Sequence, residues 1–155
     1  MSTETSPPPA KRNAGPDTAR MLIVDDDPGV GMALEDFFEH HGYDVTRAMD
    51  GETALELLKA EPAGFDLVML DVMLPGMDGF EILEASKTLG VTAPILMVTA
   101  KGEKENVLKG LGLGAEDYIV KPFAAETLLK RIKRLLGHQR TSTEPPDVYT
   151  FGDVE

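Results

Sequence analysis

DLVMLDVMLPGMDG, residues 66–79, opens on an unbroken apolar run, Leu67 to Leu70, that ends at a carboxylate, Asp71. A short continuous run of this kind, followed by turn residues, fits a strand buried on both faces, as in a parallel sheet. Working outward, four more short runs rich in apolar and β-branched residues appear: Met21 to Val24, Val45 to Ala48, Ile95 to Val98, and Tyr118 to Val120. Amphipathic segments lie between and after them. The first carries Val30, Leu34, Phe37, Phe38 and His41 on one face and stops at Gly42. The second starts at Asp50, a good N-cap, packs Ala54, Leu57 and Leu58, and ends before Pro62. A third spans about Gly79 to Leu89 and a fourth about Glu103 to Leu111. The fifth aligns Leu128, Leu129, Ile132, Leu135 and Leu136 and ends at Gly137. Strand and helix alternate five times, which argues for a doubly wound α/β sandwich.

In such sheets the ligand site lies outside the C-terminal ends of the strands. The first strand ends in Asp25, Asp26 and Asp27, the third in Asp71, the fourth in Thr99 and Ala100, and the fifth in Lys121 and Pro122. Only the second delivers nothing comparable. Carboxylates crowded at one edge repel one another, and a hard divalent cation removes that conflict. Mg2+, or Mn2+ in its place, is therefore the expected cofactor. A carboxylate beside it can attack a phosphoryl group, and a hydroxyl and an ammonium can share the charge of the transition state. Position gives the roles: Asp25 and Asp26 anchor metal, Asp71 is the nucleophile, and Thr99 and Lys121 bind phosphate.

Composition narrows the field further. The chain has 155 residues, of which 42% are hydrophobic, enough for one core. It has no cysteine, so thiol chemistry and disulfides are excluded. Lys and Arg total 15 against 27 Asp and Glu, a net charge of −12, which repels a nucleic-acid backbone. No apolar stretch approaches the ~18 residues that span a bilayer. The expectation is a soluble cytoplasmic protein without membrane contact. Residues 1–19, rich in Pro, Ser and Thr, read as a disordered extension.

The strings LIVDDDP, DLVMLDVMLPGMDG, ILMVTA and DYIVKPF resemble those of bacterial response-regulator receiver domains, the CheY-like superfamily, over residues 20–137. That resemblance implies a flavodoxin-like three-layer sandwich with a five-stranded sheet in the order 2-1-3-4-5. It implies a signalling switch rather than an enzyme, one that assists its own phosphorylation and dephosphorylation. Asp71 matches the phosphoacceptor, which is charged by a sensor histidine kinase. Asp26 matches the direct metal ligand, Asp25 the acid that holds metal through water, and Met73 the residue whose backbone carbonyl completes the metal site. The phosphate-binding set is Thr99, Ala100 and Lys121. Lys121-Pro122 matches a peptide bond that is usually cis. Tyr118 matches the aromatic that moves inward as Thr99 turns to the phosphate, which would rearrange the surface of the fourth helix, fifth strand and fifth helix.

Residues 138–155 read as a linker followed by YTFGDVE, which is similar to the opening strand of the winged-helix effector in the OmpR/PhoB branch. DNA would then be reached only through an effector that this chain lacks; a stand-alone receiver acting by protein binding is the alternative. The same branch implies a homodimer through the fourth helix, fifth strand and fifth helix. Leu108, Leu111 and Leu129 would form its apolar patch, and Asp117 with Arg131 a pair across the two-fold axis. Val107, Thr127 and Gly112 depart from the branch's usual charged partners. Met73 and Lys101, each two residues beyond a site residue, flank the path of an attacking water. Methionine orients water poorly, so a slow self-hydrolysis is expected. A haloacid-dehalogenase phosphatase would need an acid where Met73 stands. A flavin carrier would need a phosphate loop where Asp25, Asp26 and Asp27 stand.

Overall fold

The computed structural model describes residues 18–100 and 104–139. Strands β1 (Arg20–Val24), β2 (Asp44–Ala48), β3 (Leu67–Asp71), β4 (Ile95–Ala100) and β5 (Asp117–Lys121) alternate with helices α1 (Pro28–His40), α2 (Gly51–Ala60), α3 (Gly79–Leu89), α4 (Lys104–Gly112) and α5 (Ala125–Gln139). The strands form one parallel sheet in the order β2-β1-β3-β4-β5. This is the flavodoxin-like topology expected from the sequence.

The pleat explains why the strands are apolar throughout. Met21 and Ile23 of β1, Leu67 and Met69 of β3, and Leu96 and Val98 of β4 enter one core with Leu34 and Phe38 of α1 and Leu128 and Ile132 of α5. Their alternates, Leu22 and Val24, Val68 and Leu70, and Ile95 and Met97, enter a second core with Ala54 and Leu58 of α2 and Phe80, Ile82 and Leu83 of α3. Leu58, Leu128 and Ile132 are fully buried, and each contributes about 1.5–3 kcal/mol of apolar burial.

Three expectations are corrected. Helix α5 does not end at Gly137 but runs to Gln139; Gly137 is absent from the left-handed glycines, and a glycine ends a helix only where the chain takes that conformation. His41 is exposed rather than buried, although its ring lies against Phe37 on the apolar stripe, centroids 4.5 Å apart. It is the C-cap of α1, where the chain leaves the helix, and its Nδ1 lies 2.9 Å from the Phe37 carbonyl. Ala19, assigned to the extension, is buried, and its carbonyl accepts from the Asp44 amide at 2.9 Å. The remainder of the extension (1–17), the stretch from 140 onward and Lys101 lie outside the described residues.

Candidate phosphoryl site

The sheet order sets four strand ends side by side, and the register fixes their relative depth. Asp71 is the last residue of β3 and pairs with Val98, so Thr99 lies one step further along β4; Thr99 pairs with Val120, and Ala100 with Lys121. Asp25 follows β1, where its amide donates to the Ala48 carbonyl at 3.1 Å and extends the ladder by one residue. Asp25, Asp71 and Thr99 are buried, whereas Asp26 is exposed.

Local capping determines which acids face the site. Asp27 is the N-cap of α1, accepting from the amides of Gly29 at 2.9 Å and Val30 at 3.2 Å, with Pro28 beginning the helix. It is thereby withdrawn from the acidic group. The sequence reading gave it no role, although an Asp directly before a helix-starting proline is a capping signal. On the next strand end, the Met73 amide donates to Asp71 Oδ1 at 3.1 Å. Helix α3 begins immediately after, on a capping box of Asp78 and Glu81. Its first residue, Gly79, donates to the Val72 carbonyl at 2.8 Å. A Cβ at Gly79 would overlap the Asp71 carbonyl oxygen and lie 2.9 Å from the Val72 Cα. Only glycine lets α3 start this close beneath Asp71, and the sequence reading missed that.

Lys121 Nζ donates to Asp71 Oδ2 at 2.8 Å and lies 3.5 Å from Asp25 Oδ2. The second contact is an attraction between charges and not a hydrogen bond: among the described residues the buried Asp25 Oδ2 has no hydrogen-bond partner. Its other oxygen accepts from the Asp27 amide at 2.9 Å. Burial raises the pKa of Asp71, and the neighbouring Asp25 charge adds to that rise, against the Lys121 hydrogen bond, the Met73 amide and the Lys121 charge. Burial pulls Lys121 down, but the hydrogen bond to Asp71 and the charges of Asp71 and Asp25 outweigh it, for a net rise. Burial wins for the acid and loses for the base because the Asp71 side chain is 6% exposed and that of Lys121 34%. The Lys121-Pro122 peptide is cis.

Carboxylate oxygens of Asp25, Asp26 and Asp71 all lie within 4.8 Å of one another. The buried, unbonded Asp25 Oδ2 is the observation that fits a bound cation, since a buried carboxylate oxygen without a partner is costly. The donors are all oxygens, as a hard divalent cation requires, and the exposure of Asp26 leaves room for water ligands. Thr99 Oγ1 is also buried and, among the described residues, has no hydrogen-bond partner.

The residues expected at the switch and dimer surfaces lie elsewhere. Tyr118 is half-buried against the α2–α3 core. Arg131 Nη1 donates to its carbonyl at 3.0 Å, and the guanidinium stands 5.8 Å from the ring centroid. Asp117 is engaged within its own chain, by Arg131 at 2.9 Å and Arg134 at 3.5 Å. The pair foreseen across a two-fold axis is thus closed inside one protomer here. Leu108 and Leu111 are exposed, at 71% and 42%, while Leu129 packs partly against the α1–α5 core. Among the described residues no helix is long and apolar enough to cross a membrane.

Comparison with known proteins agrees with this arrangement. The sequence profile described as a response regulator receiver domain matches residues 21–133. The chain is 44% identical over 117 residues to the alkaline phosphatase synthesis transcriptional regulatory protein PhoP of Bacillus subtilis, covering 76% of this chain and 48% of that one. It is 42% identical over 141 residues to the response regulator MprA of Mycolicibacterium vanbaalenii, covering 87% and 58%. The chain thus spans about half the length of these relatives. Among solved structures, a CheY-like receiver domain protein from Methanospirillum hungatei superposes with a TM-score of 0.76 at 34% identity, covering 81% of this chain and 99% of that one.

Proposed function

The chain belongs to the response regulator receiver domain family, and from that premise we propose that it accepts a phosphoryl group from a sensor histidine kinase on Asp71. The observation that carries this reading is the pairing of a buried carboxylate with Lys121 at 2.8 Å beside two further acids. An Asp71 carboxylate oxygen attacks phosphorus as the P–N bond to the kinase's phosphohistidine breaks. The electron pair leaves on the imidazole, which takes a proton from solvent, and an acyl phosphate remains. Lys121 passes its charge from the carboxylate to the transferred oxygens. Thr99 Oγ1, without a partner among the described residues, gains one, and Ala100, at the end of β4, borders the same oxygens. Mg2+, or Mn2+, would be held by Asp25, Asp26, Asp71 and the Met73 carbonyl, and supplies positive charge against the phosphoryl oxygens. The chain's part is that of a cytoplasmic switch that assists its own phosphorylation and dephosphorylation, not of an enzyme with a separate substrate.

Thr99 turning to the phosphate would draw Tyr118 inward and change the surface of α4, β5 and α5. Tyr118 sits beside the Arg131–Asp117 pair, so its movement bears on that surface. Exposed Leu108 and Leu111 suit a homodimer there, with Asp117 and Arg131 exchanging partners between protomers and Leu129 at the margin. The receiver takes in Ala19 and runs to the end of α5 at Gln139; the residues before it are an extension, and those after it a linker with the start of a winged-helix DNA-binding effector. A stand-alone receiver would use the same leucines on another protein. Sedimentation before and after a beryllofluoride mimic separates the two: a monomer that becomes a dimer supports self-association, and an unchanged monomer at high concentration overturns it.

Incubation with acetyl phosphate and Mg2+, followed by intact-mass measurement, tests the main reading. One added phosphoryl group is expected, and it disappears when a chelator replaces the metal. No gain, or a gain indifferent to the chelator, overturns the proposal.

A further inference from the structure

We infer that Met73 is a peroxide-sensitive modification site, whose oxidation to the sulfoxide shortens the life of the phosphorylated state. The inference rests on the phosphoryl-acceptor reading of Asp71. With no cysteine in the chain, thioethers are its only oxidisable sulfurs. The fold sorts them sharply. Met21, Met69 and Met97 are buried within the sheet at 0–2% exposure, whereas Met73 is 70% exposed, ahead of Met32 at 61% and Met49 at 41%. Met73 alone of these is tied to the nucleophile, through its amide bond to Asp71 Oδ1 at 3.1 Å. Its side chain therefore springs from a point fixed beside the carboxylate.

The chemistry is a two-electron oxygen transfer. The sulfur attacks the outer oxygen of a hydroperoxide, the O–O bond breaks as the S–O bond forms, and the peroxide leaves as water or an alcohol. An apolar thioether, a weak acceptor, becomes a polar sulfoxide whose oxygen accepts strong hydrogen bonds. Rooted beside Asp71, that oxygen can hold a water against the acyl phosphate, which unmodified methionine cannot do. Oxidative conditions would then shorten the signal, and sulfoxide reduction would restore it.

The whole chain is treated with hydrogen peroxide, and its methionines are mapped by peptide mass. Half of each sample is then phosphorylated with acetyl phosphate and Mg2+, and the decay of the phosphorylated species is followed. Met73 should gain one oxygen well before Met69 and Met97, and the phosphorylated half-life should fall by about three-fold or more, a modest effect for an oriented water. Met32→Leu should leave that response intact. Met73→Leu, whatever its own half-life, should decay equally before and after peroxide. Oxidation of Met69 ahead of Met73, an unchanged half-life, or a surviving response in Met73→Leu overturns the inference. If the untreated protein takes up no phosphoryl group, the phosphoacceptor reading fails and takes this one with it.

Discussion

An Asp71→Asn variant is expected to take up no phosphoryl group from acetyl phosphate and yet to melt at a higher temperature than the parent. The first half follows from nucleophilicity, because an amide oxygen cannot form the acyl phosphate. The second follows from burial. Asp71 holds its charge against desolvation and against the neighbouring Asp25, and Lys121 does not fully offset them, so its pKa is raised. A carboxylate whose folded pKa lies above the unfolded value favours the fold most below the unfolded pKa; that contribution is lost as pH rises through the folded value. Asparagine keeps the shape, can still accept from Lys121, and carries no charge. The gain should be on the order of 1 kcal/mol at neutral pH in chelator, or about 3–6 °C in Tm. It should shrink as pH falls toward the ordinary carboxylate range and also when Mg2+ stabilises the parent. A variant that melts below the parent at neutral pH in chelator would show that the Lys121 hydrogen bond outweighs burial.

Gly79→Ala should be the most damaging single-methyl change. The added carbon would overlap the Asp71 carbonyl and crowd the Val72 Cα, backbone atoms at and just past the end of β3 that cannot swing aside as a side chain could. The start of α3 must lift away, straining the Gly79 amide bond to Val72 and loosening Phe80, Ile82 and Leu83 from their core. A loss of about 3 kcal/mol, the upper end of overpacking effects, is expected in chemical denaturation. Phosphorylation should slow as well, because the displaced atoms belong to Asp71, the proposed phosphoacceptor. Gly137→Ala is the matched control: it lies in α5 with nothing among the described residues within 4 Å of its Cβ position. It should gain up to about 1 kcal/mol from helix propensity. Equal effects from the two substitutions would refute the close-approach argument.

What could be read in advance depended on whether the determining pattern was local. Leu67 to Leu70 and Ile95 to Val98 are continuous apolar runs because both faces of the sheet are covered, and both are strands. The strand-end rule brings Asp25, Asp71, Thr99 and Lys121 to one edge from the strings alone. The failures concern end effects and competition between partners. Gly137 has the residue type of a helix stop but not the backbone conformation. Asp27 was given no role, although the helix amides behind it claim its side chain. Arg131 and Asp117, expected as a pair between protomers, stand 2.9 Å apart within one chain, a contact that sequence separation alone does not announce. The clearance at Gly79 depends on α3 meeting β3, a tertiary fact that leaves no trace in the strings themselves.

The alternation that divides Leu67 and Met69 from Val68 and Leu70 also aims the last residue of that strand. A one-residue slip of β3 against its neighbours would exchange the two apolar sets and turn Asp71 away from Lys121 at the same stroke. Misassembled copies of this protein would therefore be poorly packed and also chemically silent. A cell that clears the loosely packed ones removes no working signal, and one that misses them receives no false one.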